Sequence, residues 1–346
     1  MNYRTPKRRT ARVREAKEAL LSSRSAILTT HINADGDGAG CEAALASWLR
    51  ANGTEAWIIN PTPFPEIFHF TVEDERWIVP VGSARAKDLC EQADLAVVLD
   101  TGEVTRIGRT KDLIRKLRTV VIDHHQPGKQ PIGGISLRDP TAAATGELIY
   151  DLIHAADGPW TENVALGIYV AILTDTGSFR FSNTTPETHM MVADLIRRGV
   201  NSEDVYNRIY GRAPLRKYQL LGAALKTLRT DEEFGIAWMM VPTDAYEELG
   251  ATAQDIEGMV DVPRSLDGNR VALLFRQAKS GQIKISFRSS GPFNVNELAS
   301  QFGGGGHVKA SGAMLKGPLE QVVDQVVIAA RKLITRDLGK ALEEDG

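Results

Sequence analysis

The segment Asp123-His124-His125 closes an apolar β-branched run, Val120-Val121-Ile122, and turn residues Gln126-Pro127-Gly128 follow it. A carboxylate beside two imidazoles can bind a cation, fix a tautomer or move a proton. Three other segments place similar groups where an apolar run ends: His31 with Asp35 and Asp37, Asp100 after Asp94–Leu99, and Asp175 before Thr176-Gly177. Each residue alone has an ordinary reading. Asp35 is a helix cap, Asp175 an Asx-turn, Asp100 loop polarity, and His31 a satisfied strand-end residue. Brought together, the carboxylates cannot all stay ionised without a cation. A pair of divalent ions resolves this, and hard carboxylates with imidazole suit Mn²⁺, with Mg²⁺ or Co²⁺ as competitors. Two such ions roughly 3.5–4 Å apart share a carboxylate, activate a water and stabilise phosphoryl oxygens during in-line attack. His69, His154 and His189 lack such company and read as surface or packing residues.

The elements that must hold these groups are legible around them. A short helix is expected over 13–22 and a strand over Ser25–Thr30. Cys41, Ala44, Leu45, Trp48 and Leu49 form the apolar stripe of a helix, stopped at Gly53. Further strands are expected over 56–59, 94–99 and 120–122, with a short helix at 109–117 between the last two. Residues 63–92 give no clear assignment. Strand, helix and strand in alternation imply a parallel sheet with right-handed crossovers. In such sheets ligands bind outside the carboxyl ends of the strands. Helices follow over 142–156, over 162–173 (apolar nearly all round) and from a Thr185-Pro186-Glu187 start to near Gly199. Residues 200–230 read as a polar helical connector. A second region shows strands at 235–241, 271–278 and 282–287, with a hairpin signal at Ser280-Gly281. A short helix around Val295–Phe302, a glycine run at 303–306 and a closing amphipathic helix at 318–336 complete it.

The chain has 346 residues, 42 % hydrophobic, enough for two domains with sizeable cores. Its net charge of −3 argues against binding long nucleic acid. The basic cluster Arg4, Lys7, Arg8, Arg9, Arg12 and Arg14 reads as a solvated, frayed terminus. Cys41 and Cys90 form no C-x-x-C pair, which fits a reducing cytoplasm. No run of about 18 apolar residues marks a membrane span, and no apolar leader core is present.

Taken together, His31-x3-Asp35-x-Asp37-Gly38, Asp100, Asp123-His124-His125 and Asp175-Thr176-Gly177 resemble the four motifs of the DHH phosphoesterases. Phe287-Arg288-Ser289 and Gly304-Gly305-Gly306-His307 resemble the DHH-associated C-terminal domain. Asp175–Glu187, which includes Arg180, is similar to the branch of bifunctional oligoribonucleases (nanoRNases) and pAp phosphatases. The resemblance implies an α/β chain: a parallel-sheet, Rossmann-like DHH domain over 1–199, a connector over 200–230, and a smaller α/β domain with a mixed sheet over 231–346. It implies that His31, Asp35 and Asp100 hold one metal, and that Asp37, Asp100, His124 and Asp175 hold the other. Asp123 would orient a ligand imidazole, and His125 would face the scissile phosphate as acid or charge stabiliser. Arg180, Arg288, Gly304, Gly305, Gly306 and His307 would contact substrate. Consecutive glycines independently suggest backbone N–H groups exposed to phosphate. Cys41 stands where the family usually has serine, and either residue can start a helix.

The activity so implied is Mn²⁺-dependent hydrolysis, with two ions per chain, of very short RNA to mononucleotides and of 3′-phosphoadenosine 5′-phosphate (pAp) to AMP. A homodimer is implied by resemblance only. The alternatives are a phosphodiesterase of cyclic or linear dinucleotides (c-di-AMP, pApA, pGpG) and a non-catalytic nucleotide sensor. The sensor predicts degraded metal positions, whereas every position is filled here. The glycine run argues against a family II pyrophosphatase, and the length against a RecJ-type exonuclease with an added DNA-binding domain.

Overall fold

The computed structural model describes residues 3–278, 281–306 and 308–344, with side chains through 339. The chain divides between Gly211 and Arg212 into two units, each with its own sheet.

The first unit runs α1 (Lys7–Leu21), β1 (Ser25–Thr29), α2 (Gly36–Ala51), β2 (Glu55–Ile58), α3 (Ala84–Gln92), β3 (Leu95–Leu99), α4 (Thr110–Ile114), β4 (Arg118–Asp123), β5 (Ile135–Arg138), α5 (Thr145–Ala155), α6 (Glu162–Asp175), α7 (Pro186–Arg197) and α8 (Ser202–Ile209). The five strands are all parallel, in the order β2-β1-β3-β4-β5. Their apolar residues feed two cores. Leu28, Val97, Leu99 and Ile122 join α1, α2, α5 and α6 on one face. Ile27, Ala96, Val98 and Val121 meet Ala86 and Cys90 of α3 and Ile114 of α4 on the other. Strands buried on both faces read as continuous apolar runs, which is why they were legible. The strand order reverses between β1 and β3, the position where sheets of this kind open a ligand crevice. His31 follows β1 and Asp100 follows β3 on either side of that point.

Helices α2 and α6 approach unusually closely. A Cβ on Gly40 would lie 2.4 Å from the Gly167 carbonyl oxygen, and one on Gly167 would lie 2.5 Å from that of Gly40. Only glycine permits such a crossing at both positions. Because the helices run in opposite directions, it sets Asp37 in the first turn of α2 beside Asp175 at the end of α6.

Several expectations need correction. The unassigned stretch 63–92 forms two 3-10 turns, Glu66–Thr71 and Glu75–Trp77, and then α3. Strand β5 has only four residues, Ile135-Ser136-Leu137-Arg138, too short a run for its alternation to announce it. The basic N-terminal cluster is not frayed: α1 starts at Lys7, and the buried Arg9 pairs with Asp139, Asp151 and Glu147. Arg8 joins at Asp139, and Arg12 donates to the Arg138 carbonyl. Three acids that follow β5 or lie on α5 supply partners that the local sequence could not reveal.

The second unit contains α9 (Leu215–Leu225), β6 (Arg229–Asp231), β7 (Ile236–Val241), α10 (Thr243–Glu248), α11 (Ala253–Ile256), α12 (Asp261–Arg264), β8 (Val271–Gln277), β9 (Gln282–Ser289), α13 (Val295–Ser300), β10 (Gly305–Gly306), β11 (Ala310–Lys316) and α14 (Leu319–Glu344). Its sheet, in the order β10-β11-β9-β8-β7-β6, is mixed, with β7 and β8 parallel and the other pairs antiparallel. Val322, Val326, Ala330, Leu333 and Ile334 of α14 cover Phe275 and Phe287. Strand β11 was not anticipated, yet it pairs along β9 from Arg288 to Gln282. Of the hairpin signal, Ser280 lies outside the described residues. The stretch read as a connector divides: α8 belongs to the first unit, and α9 packs Leu220 and Ala224 into the second. No helix among the described residues is long and apolar enough to cross a membrane.

Arg9 holds three acids in a site where its own side chain is only 4 % exposed. Removing one partner of a buried ionic group leaves uncompensated charge, at a typical cost of about 3–5 kcal/mol. Arg9→Met should lower the unfolding free energy by that order, read from urea denaturation of the first unit's transition. A loss under about 1 kcal/mol, the scale of an exposed pair, would contradict the buried-network description.

Candidate metal centre

Helix α2 begins where Asp35 caps it: the Asp35 carboxylate accepts the Asp37 and Gly38 N–H groups at 3.1 and 3.2 Å. Asp37, in the first turn, is buried. Its two oxygens accept the N–H groups of Thr145 (2.7 Å) and Gly146 (3.0 Å), the first residues of α5. Helix α5 has no side-chain cap of its own, so Asp37 satisfies two of its orphan donors from across the fold. The Thr145 hydroxyl then donates to Asp100 Oδ1 at 2.9 Å. Asp100 sits at φ +57°, a left-handed conformation costly for a non-glycine residue. That kink turns its carboxylate in over the strand ends. Cys41 lies in the second turn of α2 rather than at its start, and its thiol reaches Asp37 Oδ1 at 3.4 Å.

Around Asp100 the side chains fall into overlapping sets. His31 Nε2 lies 3.3 Å from Asp100 Oδ2 and 3.7 Å from Asp35 Oδ2. His124 Nε2 lies 3.3 Å from Asp175 Oδ2, 3.6 Å from Asp100 Oδ1 and 3.7 Å from Asp37 Oδ2. Ligand atoms of His31, Asp35 and Asp100, of Asp37, His124 and Asp175, and of Asp100, His124 and His125 each lie within 4.8 Å of one another. Asp100 stands between the first two sets.

The donor chemistry fits cations. His31 Nδ1 faces the Ile32 carbonyl at 3.0 Å, and His124 Nδ1 faces that of Ala142 at 3.2 Å. A carbonyl only accepts, so each Nδ1 carries the proton and each Nε2 of the neutral ring presents a lone pair. Both lone pairs then point at carboxylates. His31 Nε2 is buried with no hydrogen-bond partner, an arrangement that calls for positive charge between the groups. Without metal the site answers with protons. Burial opposes charge on His31, yet Asp100 and Asp35 outweigh it and push its pKa up to about 10. Burial and the neighbouring carboxylates push Asp37 well above the usual range. Burial first, against His124, pushes Asp175 up to about 7. Asp100 moves the other way: burial is overcome by the three imidazoles, which hold it below the usual range.

Asp123 orients an imidazole of the third set, that of His125, and not that of His124. It accepts the His125 N–H at 3.0 Å and faces His125 Nδ1 at 2.9 Å, so it holds His125, while His124 is held by the Ala142 carbonyl. Burial opposes protonation of His125, but Asp123 and Asp100 raise its pKa. Arg180 is exposed and donates Nε to the Gly177 carbonyl at 2.7 Å. In the second unit, Arg288 lies on β9 with Nη1 on the Phe287 carbonyl, and burial lowers its pKa. Part of the glycine run is used within the second unit. The Gly303 and Gly304 N–H groups close the end of α13 on Ser300 and Ala299, and a Cβ on Gly304 would lie 2.1 Å from the Gly312 carbonyl oxygen. Gly305 and Gly306 are exposed and pair with Gly312 and Ser311. His307 lies outside the described residues.

Sequence reasoning missed the supports. Thr145 and Gly146 had one available signal, a helix start without a capping residue. Glu42, fully buried beside the Asn60 amide (2.8 Å), has its pKa pushed up to about 8 by burial and gave no signal at all.

Residues 25–172 match the DHH family, N-terminal domain, and residues 236–336 match the DHHA1 domain. The chain is 34 % identical over 312 residues to the bifunctional oligoribonuclease and PAP phosphatase NrnA of Thermus thermophilus, covering 89 % of this chain and 90 % of that one. It is 30 % identical to the protein of the same name from Bacillus subtilis, covering 84 % and 88 %. The crystal structure of an exopolyphosphatase-related protein from Bacteroides fragilis superposes with a TM-score of 0.87 at 25 % identity, over 94 % of this chain and 97 % of that one. Carboxylates and imidazoles at the strand ends, a parallel sheet ordered 2-1-3-4-5 and a separate mixed-sheet unit therefore meet in one assignment: the chain belongs to the DHH family of phosphoesterases.

Proposed function

We propose that this chain is a two-metal phosphoesterase that hydrolyses very short RNA to mononucleotides and pAp to AMP. The observation that carries the reading is the pair of ligand sets meeting at Asp100. The name shared by its relatives supports the substrate class. His31, Asp35 and Asp100 would hold one ion, and Asp37, Asp100, His124 and Asp175 the other. Mn²⁺ is the preferred occupant, with Mg²⁺ or Co²⁺ as substitutes. Such ions, when bound, polarise phosphoryl oxygens and generate a nucleophile at neutral pH.

The chain's own residues supply the rest. The Ile32 and Ala142 carbonyls keep His31 and His124 in the tautomer that presents Nε2. Asp123 holds His125 and raises its pKa, which favours the protonated ring that would donate to a leaving oxygen or offset its charge. Arg288, Gly304, Gly305, Gly306 and His307 of the second unit, with Arg180 of the first, would contact substrate. Two free, buried cysteines suit a cytoplasmic setting. The deciding assay is a Mn²⁺-supported panel of 5′-phosphorylated di- to pentaribonucleotides, pAp, c-di-AMP and pyrophosphate. Mononucleotides from the short RNAs and AMP from pAp are expected, and release of neither sinks the proposal.

Asp100→Ala should cost more activity than the roughly 10–100-fold typical of residues behind the ligands, because both ions lose a ligand. Elemental analysis should find fewer than two Mn²⁺ per chain, and full occupancy would rule out the shared carboxylate.

Metal should also exchange for protons. In the metal-free fold, Asp175 with pKa about 7, and Asp37, which burial and the neighbouring carboxylates also raise, keep protons that the unfolded chain releases above about pH 4. Stability therefore falls as pH climbs through that window. His31 extends the fall: its contribution is complete below pH 6.5 and is lost as pH rises towards about 10. Ligands must shed these protons to bind metal. The rise in Tm on adding Mn²⁺ to chelator-stripped protein should therefore be larger at pH 8 than at pH 6 by scanning calorimetry. A rise no larger at pH 8 would show that these groups do not bind the metal.

Arg288→Ala and His307→Ala should keep two metals and lose turnover of nucleotides. Each loss removes a charge-assisted hydrogen bond worth roughly 1.5–3 kcal/mol, or about 10–150-fold in kcat/KM. Bis-p-nitrophenyl phosphate, with fewer groups to contact, should be affected less. Equal losses on both substrates would remove these residues from substrate recognition.

A further inference from the structure

We infer that Arg138 is a positioning residue for His125, acting through Asp123, and that Gly102 is glycine in order to seat the Arg138 guanidinium. The inference rests on the role of His125 proposed above. Strands β4 and β5 pair with Asp123 directly opposite Arg138. The Asp123 carboxylate is 1 % exposed, and its two oxygens do different things. Oδ1 takes the backbone N–H and ring Nδ1 of His125. Oδ2 is buried, has no hydrogen-bond partner, and faces Arg138 Nε at 3.1 Å. A buried carboxylate without a countercharge is costly, and Arg138 supplies the countercharge from the neighbouring strand.

Two further contacts fix the arginine. Its carbonyl accepts Arg12 Nη1 at 2.8 Å, which ties the backbone to α1. Its guanidinium fills the space above Gly102, where an added Cβ would lie 1.4 Å from Nη2 and 3.0 Å from Asp123 Oδ2. Gly102 itself follows Asp100 by two residues, so any side chain there pushes the guanidinium out of the site's wall. Arginine, aspartate and imidazole thus form a line that begins on β5 and ends at His125. Without Arg138, Asp123 keeps its place in sequence but loses the charge that holds its carboxylate, and the imidazole loses a fixed direction. Neither residue belongs to a ligand set.

The test compares Arg138→Met, Arg138→Lys, Gly102→Ala, His125→Ala and the double variant His125→Ala/Arg138→Met, with bis-p-nitrophenyl phosphate as probe and Mn²⁺ saturating. Arg138→Met should lower kcat about 10–100-fold with KM and two Mn²⁺ per chain retained. Arg138→Lys, which keeps the charge, should recover most of that loss. Gly102→Ala, which removes no polar group, should resemble Arg138→Met. In the His125→Ala background, Arg138→Met should cost nothing further, because the residue through which it acts is gone. Additive losses in the double variant, a Gly102→Ala enzyme with wild-type kcat, or metal loss in Arg138→Met would each overturn the inference. A wild-type enzyme inactive on every phosphoester would instead overturn the proposed function, and this inference with it.

Discussion

The contact between Gly40 and Gly167 sets the geometry on which everything at the strand ends depends. Two helices pressed together backbone to backbone leave no room for adjustment along their shared face. One of them starts with Asp37 and the other ends with Asp175. Asp37 in turn caps α5, whose first hydroxyl bonds Asp100. Three carboxylates from three parts of the chain are thereby held close although they repel one another. Buried helix packing holds them there, in groups that could hold a cation. A looser crossing would relax the carboxylates and weaken the site without altering a single ligand.

Division of labour among the histidines follows from what each Nδ1 meets. His31 and His124 meet backbone carbonyls, which leave Nε2 as a lone pair. His125 meets a carboxylate, which favours the protonated ring. Neighbouring residues of one type are thus pushed to opposite chemical roles by their second nitrogen. The distinction is invisible in the string Asp-His-His, where both imidazoles look alike.

Much of the first sheet was legible because a parallel strand buried on both faces must be apolar along its length, as Leu95–Leu99 and Val120–Ile122 are. The polar residues at the ends of those runs were legible for the same reason: polarity directly after a buried strand needs an explanation. Thr185 and Pro186 announced α7 through their own backbone chemistry, and the structure shows the cap. What stayed hidden depends on distant partners. Strand β5 is short and half exposed, so only its pairing with β4 defines it. Arg9 looks like any basic residue near a terminus until Asp139, Glu147 and Asp151 arrive from more than a hundred residues away. The Gly304 region reads as a phosphate loop, and the close approach of β11 that also requires glycine at 304 gave no signal. The carboxylates and imidazoles that cluster could be listed from sequence, with Asp123 as an orienting group, whereas the backbone carbonyls, Thr145 and Arg138 that support them could not.

Helix α1 has one more consequence. Strand β5 is the last strand of its sheet, so among the described residues one side of its backbone has no strand neighbour. Such an edge offers free amides and carbonyls to any extended chain that drifts past. Arg12 occupies the Arg138 carbonyl on that edge, and Arg8 and Arg9 clamp the residues just beyond it. The N-terminal helix therefore occupies a part of that edge that strand addition would need. The same strand carries the countercharge for Asp123.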